Sequence, residues 1–249
     1  AAPRTTCVND GTRRAELLTH NGDTQQTVNY EVASITSQPG DPLPGRLAIL
    51  QRLEEALDRA RNEDFVLYFS GHGSAPSWGN ALIVNDDPLE AIAMEEVMTL
   101  VHRSHARQDV VILDACCGGS FGEIAALGGH AGFAPSPRVL REDFILLAAS
   151  RRNESALGGT TYSLFTELLI DGLEGGASDH TGQITAPALF GYAEPAFGAF
   201  DQRPTLKANV SVARPLRRCE PRVDLPQLRR LPTHFPVGTD SVQLGPTHV

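Results

Sequence analysis

Lysine is almost missing from this sequence. Lys207 is the only one among 249 residues, and the other 20 basic side chains are arginine. That habit reads first as coding bias and only second as chemistry. Basic residues are also outnumbered: 21 against 30 acids leaves a formal net charge of −9. A nucleic-acid binder usually carries a basic face, so the charge argues against one; a mildly acidic balance suits an enzyme that handles basic substrates. No apolar run approaches the roughly 18 residues of a membrane span. The opening Ala1-Ala2-Pro3-Arg4 has no apolar stretch behind its charge and does not read as a signal peptide. Cysteine is sparse as well. Cys7, Cys116, Cys117 and Cys219 fit neither a disulfide framework nor a Cys-x-x-Cys metal knuckle. Two are adjacent, a poor geometry for a mutual bridge. Reduced thiols in a cytoplasmic protein without a metal or other cofactor are the simplest account.

Hydrophobic residues make up 41% of the chain, enough for a sizeable core, and the length suits one domain, or one domain with a tail. Three short apolar runs read as strands: Phe65–Phe69, Val110–Leu113 and Phe144–Ala148. Continuous runs of this kind suit a parallel sheet covered on both faces. Between them the apolar residues recur at helical spacing, predicting helices over Leu47–Ala60, Met94–His105 and Tyr162–Leu173, the last stopped by Gly175-Gly176. A further helix is expected over about Arg13–His20. Alternating strands and helices imply an α/β doubly wound fold, a mostly parallel central sheet with helices on both faces. No internal repeat is present. From Pro215 onward there are six prolines in 35 residues and no helical period, so residues 215–249 read as an extended tail or linker after a domain of 1–214. Folds of this kind normally open with a strand, so one is expected upstream of the first helix and the chain reads as a fragment of a longer protein.

Two strands run into reactive groups: Ser70-Gly71-His72-Gly73-Ser74 after the first, and Asp114-Ala115-Cys116-Cys117-Gly118-Gly119-Ser120 after the second. Ligands of open α/β sheets sit beyond the carboxyl ends of the strands. If these strands are neighbours, His72 and Cys116 share one crevice, and an imidazole beside a thiol favours the nucleophilic thiolate. The glycines expose backbone N–H groups, and those of Gly73 and Cys116 can serve a tetrahedral oxyanion; one such donor is typically worth about 10²–10³ in rate. Each residue alone has a blander reading, a small buried hydrophobe for the cysteine and an inert strand-end side chain for the histidine. Their shared context, glycine-flanked ends of apolar strands in the order strand-His, helix, strand-Cys, outweighs it.

Tyr68-Phe-Ser-Gly-His-Gly73 and Leu113-Asp-Ala-Cys-Cys-Gly-Gly-Ser120 resemble the two active-site motifs of the caspase-like cysteine peptidases, metacaspases and bacterial caspase homologues above all. Cys7-Val8-Asn9-Asp10 resembles the Cys-x-Asn-Asp of that family's first helix, and Leu146-Leu-Ala-Ala-Ser150 the strand flanking its substrate cleft. The resemblance covers roughly residues 5–210. It implies a caspase-like fold and a His72–Cys116 dyad, with the nucleophile two residues after Asp114; Cys117 stands where metacaspases often have histidine, which leaves a role for it as nucleophile or redox lock. It also implies a specificity pocket lined by Asp10 and Asp114, with Cys7 and Ser70 at its wall and Ser150 beside the cleft. Two carboxylates favour Arg, or Lys, before the scissile bond of a protein or peptide substrate. The plainer readings are a helix N-cap for Asp10 and a turn residue for Asp114.

The resemblance also points to self-processing in the Gly- and Pro-rich segment from Gly128 to Glu142, at Arg138 or Arg141, with Arg217-Arg218 and Arg229-Arg230 as further sites in the tail. Solvated loop charge is the bland alternative. Calcium activates some relatives, but the acids Asp86, Asp87, Glu90, Glu95 and Glu96 lack the spacing of a dedicated calcium loop and read better as the start of a helix. A role in cell death or defence follows from the resemblance alone, while the Pro-rich tail suggests that the catalytic unit is joined to a fused or associated sensing or scaffold domain. A catalytically weak adaptor and a thiol redox or acyl-transfer enzyme using Cys116-Cys117 are the competing functions.

Overall fold

The computed structural model describes residues 4–36, 44–74, 80–84, 90–115, 140–149, 163–197, 204–223, 226, 229–230, 234–237 and 240–243. Its centre is a six-stranded sheet. The parallel core consists of β1 (Asp64–Ser74), β4 (Gln108–Ala115) and β5 (Phe144–Ala148), in that spatial order. β7 (Thr205–Asn209) closes one side antiparallel to β5, while β2 (Ala81–Ile83) and β3 (Ile92–Ala93) extend the far end of β1 as short antiparallel strands. Along Asp64–Gly71 β1 pairs with β4; among the described residues no strand pairs with its other edge there.

Strand alternation divides the core. Val66, Tyr68, Val110, Ile112, Ile145 and Leu147 face α1 (Arg4–Thr19), α4 (Leu164–Asp171) and α5 (Ala186–Ala193). Phe65, Leu67, Val111, Leu113, Phe144 and Leu146 face α2 (Arg46–Arg59) and α3 (Met94–Arg103). β4 is buried over its whole length, as expected for a central strand with helices on both sides. The expected mostly parallel sheet with two helical layers is therefore what forms.

Several boundaries differ from the sequence reading. β1 continues past Phe69 through the glycine-rich motif, because His72, Gly73 and Ser74 pair with Ile83, Leu82 and Ala81 of β2. His72 and Gly73 thus lie in a ladder and not in a loop. Gly71 has a packing reason to be glycine: a Cβ there would stand 2.7 Å from the Phe69 ring. α1 begins at Arg4 and takes in Cys7–Asp10, so Asp10 is an interior helical residue and not an N-cap. α4 passes into a π-helical segment, Gly172–Gly176, which Gly175 ends at φ 127°. No helix among the described residues is long and apolar enough to cross a membrane.

The expected boundary at residue 214 does not match the packing. β8 (Pro215–Arg218) pairs antiparallel with β6 (Gln183–Thr185), and Leu216 is buried in the core of the α1, α4 and α5 layer. The Gly22–Cys219 bridge and the Asn29 amide, donating to Leu216 O at 2.8 Å, tie this segment to the chain after α1. Prolines obscure such a strand in sequence, yet Pro215 opens it, a position where a missing N–H is tolerated. Farther on, β9 (His234–Val237) and β10 (Asp240–Gln243) form a two-stranded antiparallel pair.

Candidate active site

The register of β1 against β4 builds the site. Ser70 lies opposite Asp114 and Gly71 opposite Ala115, at the carboxyl ends of both strands. Tyr68, Ser70 and His72 share one face of β1 by alternation, the face covered by α1 and α4. Asp10 comes to the same point from α1: Ser70 Oγ donates to its Oδ2 at 2.8 Å, and the Ser163 N–H reaches its Oδ1 at 3.3 Å. Cys7 is half-buried three residues earlier, one turn away along the same helix.

Asp114 is held by the start of α4. Ser163 Oγ donates to its Oδ2, and Thr166 Oγ1 donates to the same oxygen at 2.7 Å. Ser163 also caps the helix, accepting the Thr166 N–H at 3.0 Å. With the Thr166 proton committed to Asp114, the 2.9 Å contact of Tyr68 runs from the phenol to Thr166 Oγ1. The carboxylate stands at a helix N-terminus, where the backbone dipole favours negative charge.

Asp10 and Asp114 are 0% and 1% exposed. Burial pushes the Asp10 carboxyl up to about 6, and the nearby Asp114 charge adds to the rise; the Ser70 hydroxyl, the Ser163 N–H and Arg14 oppose it. Asp10 is therefore ionised at neutral pH but takes a proton in mild acid. The Tyr68 phenol is driven well above its ordinary range, chiefly by burial. Ser70 and His72 are half-buried, so the cluster is open on their side.

Asp10, Ser70, Asp114, His72 and Gly73 thus gather at one end of the sheet. Cys116, Cys117, Ser150 and Arg138 lie outside the described residues; Cys116 is the next residue in the chain after Ala115. Arg141 is elsewhere. It donates to Ser104 O at 3.0 Å and Ser104 Oγ at 2.7 Å, also bonds Ala106 O, and pairs with the buried Asp109 near the start of β4. Six residues of strand, roughly 20 Å, separate Asp109 from Ala115. A guanidinium engaged in this way is held away from the candidate site. Among the acids considered for calcium, Glu90 accepts the Arg46 N–H at 2.7 Å and Glu96 accepts the Ala93 N–H at 3.2 Å, both helix-start roles; Asp86 and Asp87 lie outside the described residues.

The sequence reading missed Arg14, Tyr68, Ser163 and Thr166 as members of this cluster. Arg14 stands four residues after Asp10 on α1, and Ser163 directly precedes an apolar helical run, the two signals available in the sequence.

The caspase domain family matches residues 1–210. A solved protein from Geobacter sulfurreducens superposes with a TM-score of 0.56 at 14% identity, over 86% of this chain and 90% of its own. Caspase-1 from Spodoptera frugiperda does so with a TM-score of 0.56 at 13% identity, over 86% of this chain and 84% of its own. At such identities these two establish the likeness of fold. No curated protein matches the chain. With the family match spanning most of its length, the chain belongs to the caspase domain family, peptidase C14.

Proposed function

We propose that the protein is a cysteine endopeptidase that cuts protein substrates after Arg, and less readily after Lys, with Cys116 as nucleophile and His72 as its base. The observation that carries the specificity is the pairing of two carboxylates, Asp10 and Asp114, at the strand end that also holds His72. An arginine fork meets carboxylate oxygens bidentately, whereas an acidic side chain would be repelled. The family is one of cysteine peptidases, and its coarse chemistry fits the dyad.

In the proposed reaction the His72 imidazole takes the thiol proton and Cys116 Sγ attacks the scissile carbonyl. The N–H groups of Gly73 and Cys116 are the proposed donors to the resulting oxyanion. The same imidazole then returns the proton to the leaving amine, leaving a thioester on Cys116; a water activated by His72 hydrolyses that thioester, releasing the carboxylic acid and restoring the thiol. No cofactor enters this scheme. Ser150 is assigned to the cleft wall and Cys7 to the pocket wall. Self-processing within 128–142 is assigned to Arg138, since Arg141 is committed to Asp109 and Ser104.

A peptidyl ketone ending in Arg tests the assignment. The expected product is a single covalent adduct, mapped by mass spectrometry to Cys116 and absent from Cys116→Ala. An adduct on Cys117 would count against Cys116 as the nucleophile, and a Cys116–Cys117 oxidation product without any adduct would count against the peptidase reading. Intact masses of wild type and Cys116→Ala should differ by a cut after Arg138; equal masses would remove self-processing.

A further inference from the structure

Arg14 stands out among the described residues. It is 2% exposed, and its Nε, Nη1 and Nη2 are buried without a hydrogen-bond partner among the described residues. Its guanidinium carbon lies 3.9 Å above the centre of the Tyr68 ring. Leaving the donors of a buried cation unpaired is expensive, so such a group calls for a reason beyond packing. Arginine stacks well on an aromatic face, but that alone does not select a cation for this position.

Its placement supplies the reason. Arg14 is one helical turn from Asp10, on the same face of α1. Tyr68 is two residues nearer the start of β1 than Ser70, so the guanidinium lies beneath the Asp10–Ser70–Asp114 layer, while the half-exposed Ser70 and His72 mark the opposite, open side. Among the described residues, Asp10 interacts electrostatically with Arg14 on its own helix, Tyr68 on β1 and Asp114 on β4, with Cys7 one turn away on α1 and His72 at the same end of β1; α4 contributes the neutral Ser163 and Thr166. Among the described residues, Arg14 is thus a buried cation beside two crowded carboxylates.

We propose that Arg14 is the positioning residue of the specificity pocket: its buried cation, stacked on Tyr68, keeps Asp10 ionised beside Asp114 so that both carboxylates meet the basic side chain of the substrate. With Arg14 present the pair carries a net charge of about −1, and an incoming guanidinium completes neutrality. Without it, two buried carboxylates compete and Asp10 takes its proton more readily as the pH falls toward mild acid. This rests on the Arg-directed reading above.

The test compares Arg14, Arg14→Met and Arg14→Lys in a Cys116→Ala background, with folding checked by circular dichroism. Asp10 is followed by carbon NMR of labelled aspartate, with Asp10→Asn assigning the signal, and affinity for a fluorescent peptide ending in Arg is followed from pH 5 to 9. The expected result is an Asp10 midpoint raised by about one pH unit or more in Arg14→Met, with peptide affinity at pH 7 falling about tenfold and Arg14→Lys restoring most of both. Arg14→Gln serves the same comparison if the methionine variant does not fold. An unchanged Asp10 midpoint in a folded neutral variant overturns the proposal. The two readings fail separately: absence of Arg-peptide binding by the parent protein refutes Arg specificity, while the NMR midpoint still decides the coupling.

Discussion

Asp10 is a carboxyl group taken out of water, and the surrounding bonds do not fully compensate. Its folded-state value of about 6 lies above the value of 3.8 expected for the unfolded chain. The folded state therefore holds more protons than the unfolded one between these values, and stability falls as pH rises through that window. The contribution is complete below about pH 4 and lost above about pH 6, on the order of 2–3 kcal/mol. Asp10→Asn should then unfold at higher denaturant than wild type at pH 8, and the difference should close at pH 4. Urea titrations at both values measure this, and a gain equal at the two would contradict the assignment. A site residue that costs stability is a common mark of function over folding. The residues legible in sequence, His72, Asp10, Ser70 and Asp114, carried their signal in local motifs. Arg14, Ser163 and Thr166 did not, because their relation to the carboxylates exists only after α1 and α4 dock on the sheet.

The start of α4 binds fold and site together. Ser163 caps the helix and donates to Asp114, so one hydroxyl satisfies a helix terminus and a buried carboxylate. Ser163→Ala removes both and should cost about 2 kcal/mol or more, with a larger loss of Arg-peptide turnover than a mere helix cap would explain. Ser163→Thr, which keeps the hydroxyl, should recover most of each. At the opposite end of β4, Arg141 compensates Asp109, whose carboxyl burial pushes up. Arg141→Met leaves that charge alone and should lower stability by about 3–5 kcal/mol in thermal unfolding at neutral pH, without adding or removing a processing product. The elements with strong apolar periodicity were readable: β5 spans the five residues expected of it, Phe144–Ala148. The first half of α1 was not readable from periodicity and came only with the family resemblance of Cys7–Asp10, since Asn9-Asp10-Gly11 is turn chemistry that tertiary packing overrides. Nor was the second half of β1, whose Ser-Gly-His-Gly run pairs through backbone atoms that leave no side-chain pattern.

At the scale of the whole molecule, the division at residue 214 does not survive the packing of β8. Leu216 is 1% exposed in the core of the α1, α4 and α5 layer. Leu216→Ala should cost about 2–5 kcal/mol, and a chain ending at 214 should unfold at lower temperature than one ending at 223; equal melting points would restore the linker reading. β8 was illegible because four residues flanked by prolines and arginines carry too little pattern, and its partner β6 lies some thirty residues earlier. The sheet holds His72 and Asp114, with Asp10 of α1 beside them, at one end and the Arg141–Asp109 pair at the other, so the proposed site and this anchor occupy opposite ends of the strands.

The proposed thiol peptidase has a pocket that selects a basic side chain. The most direct measurement of this is kcat/KM at pH 7.5 on three fluorogenic peptides differing only in a terminal Arg, Lys or Asp, with wild type, His72→Ala and Cys116→Ala. The expected result is Arg above Lys, no turnover of Asp, and loss of at least about 10³ in both variants. Preference for Asp, or full activity in Cys116→Ala, would contradict it.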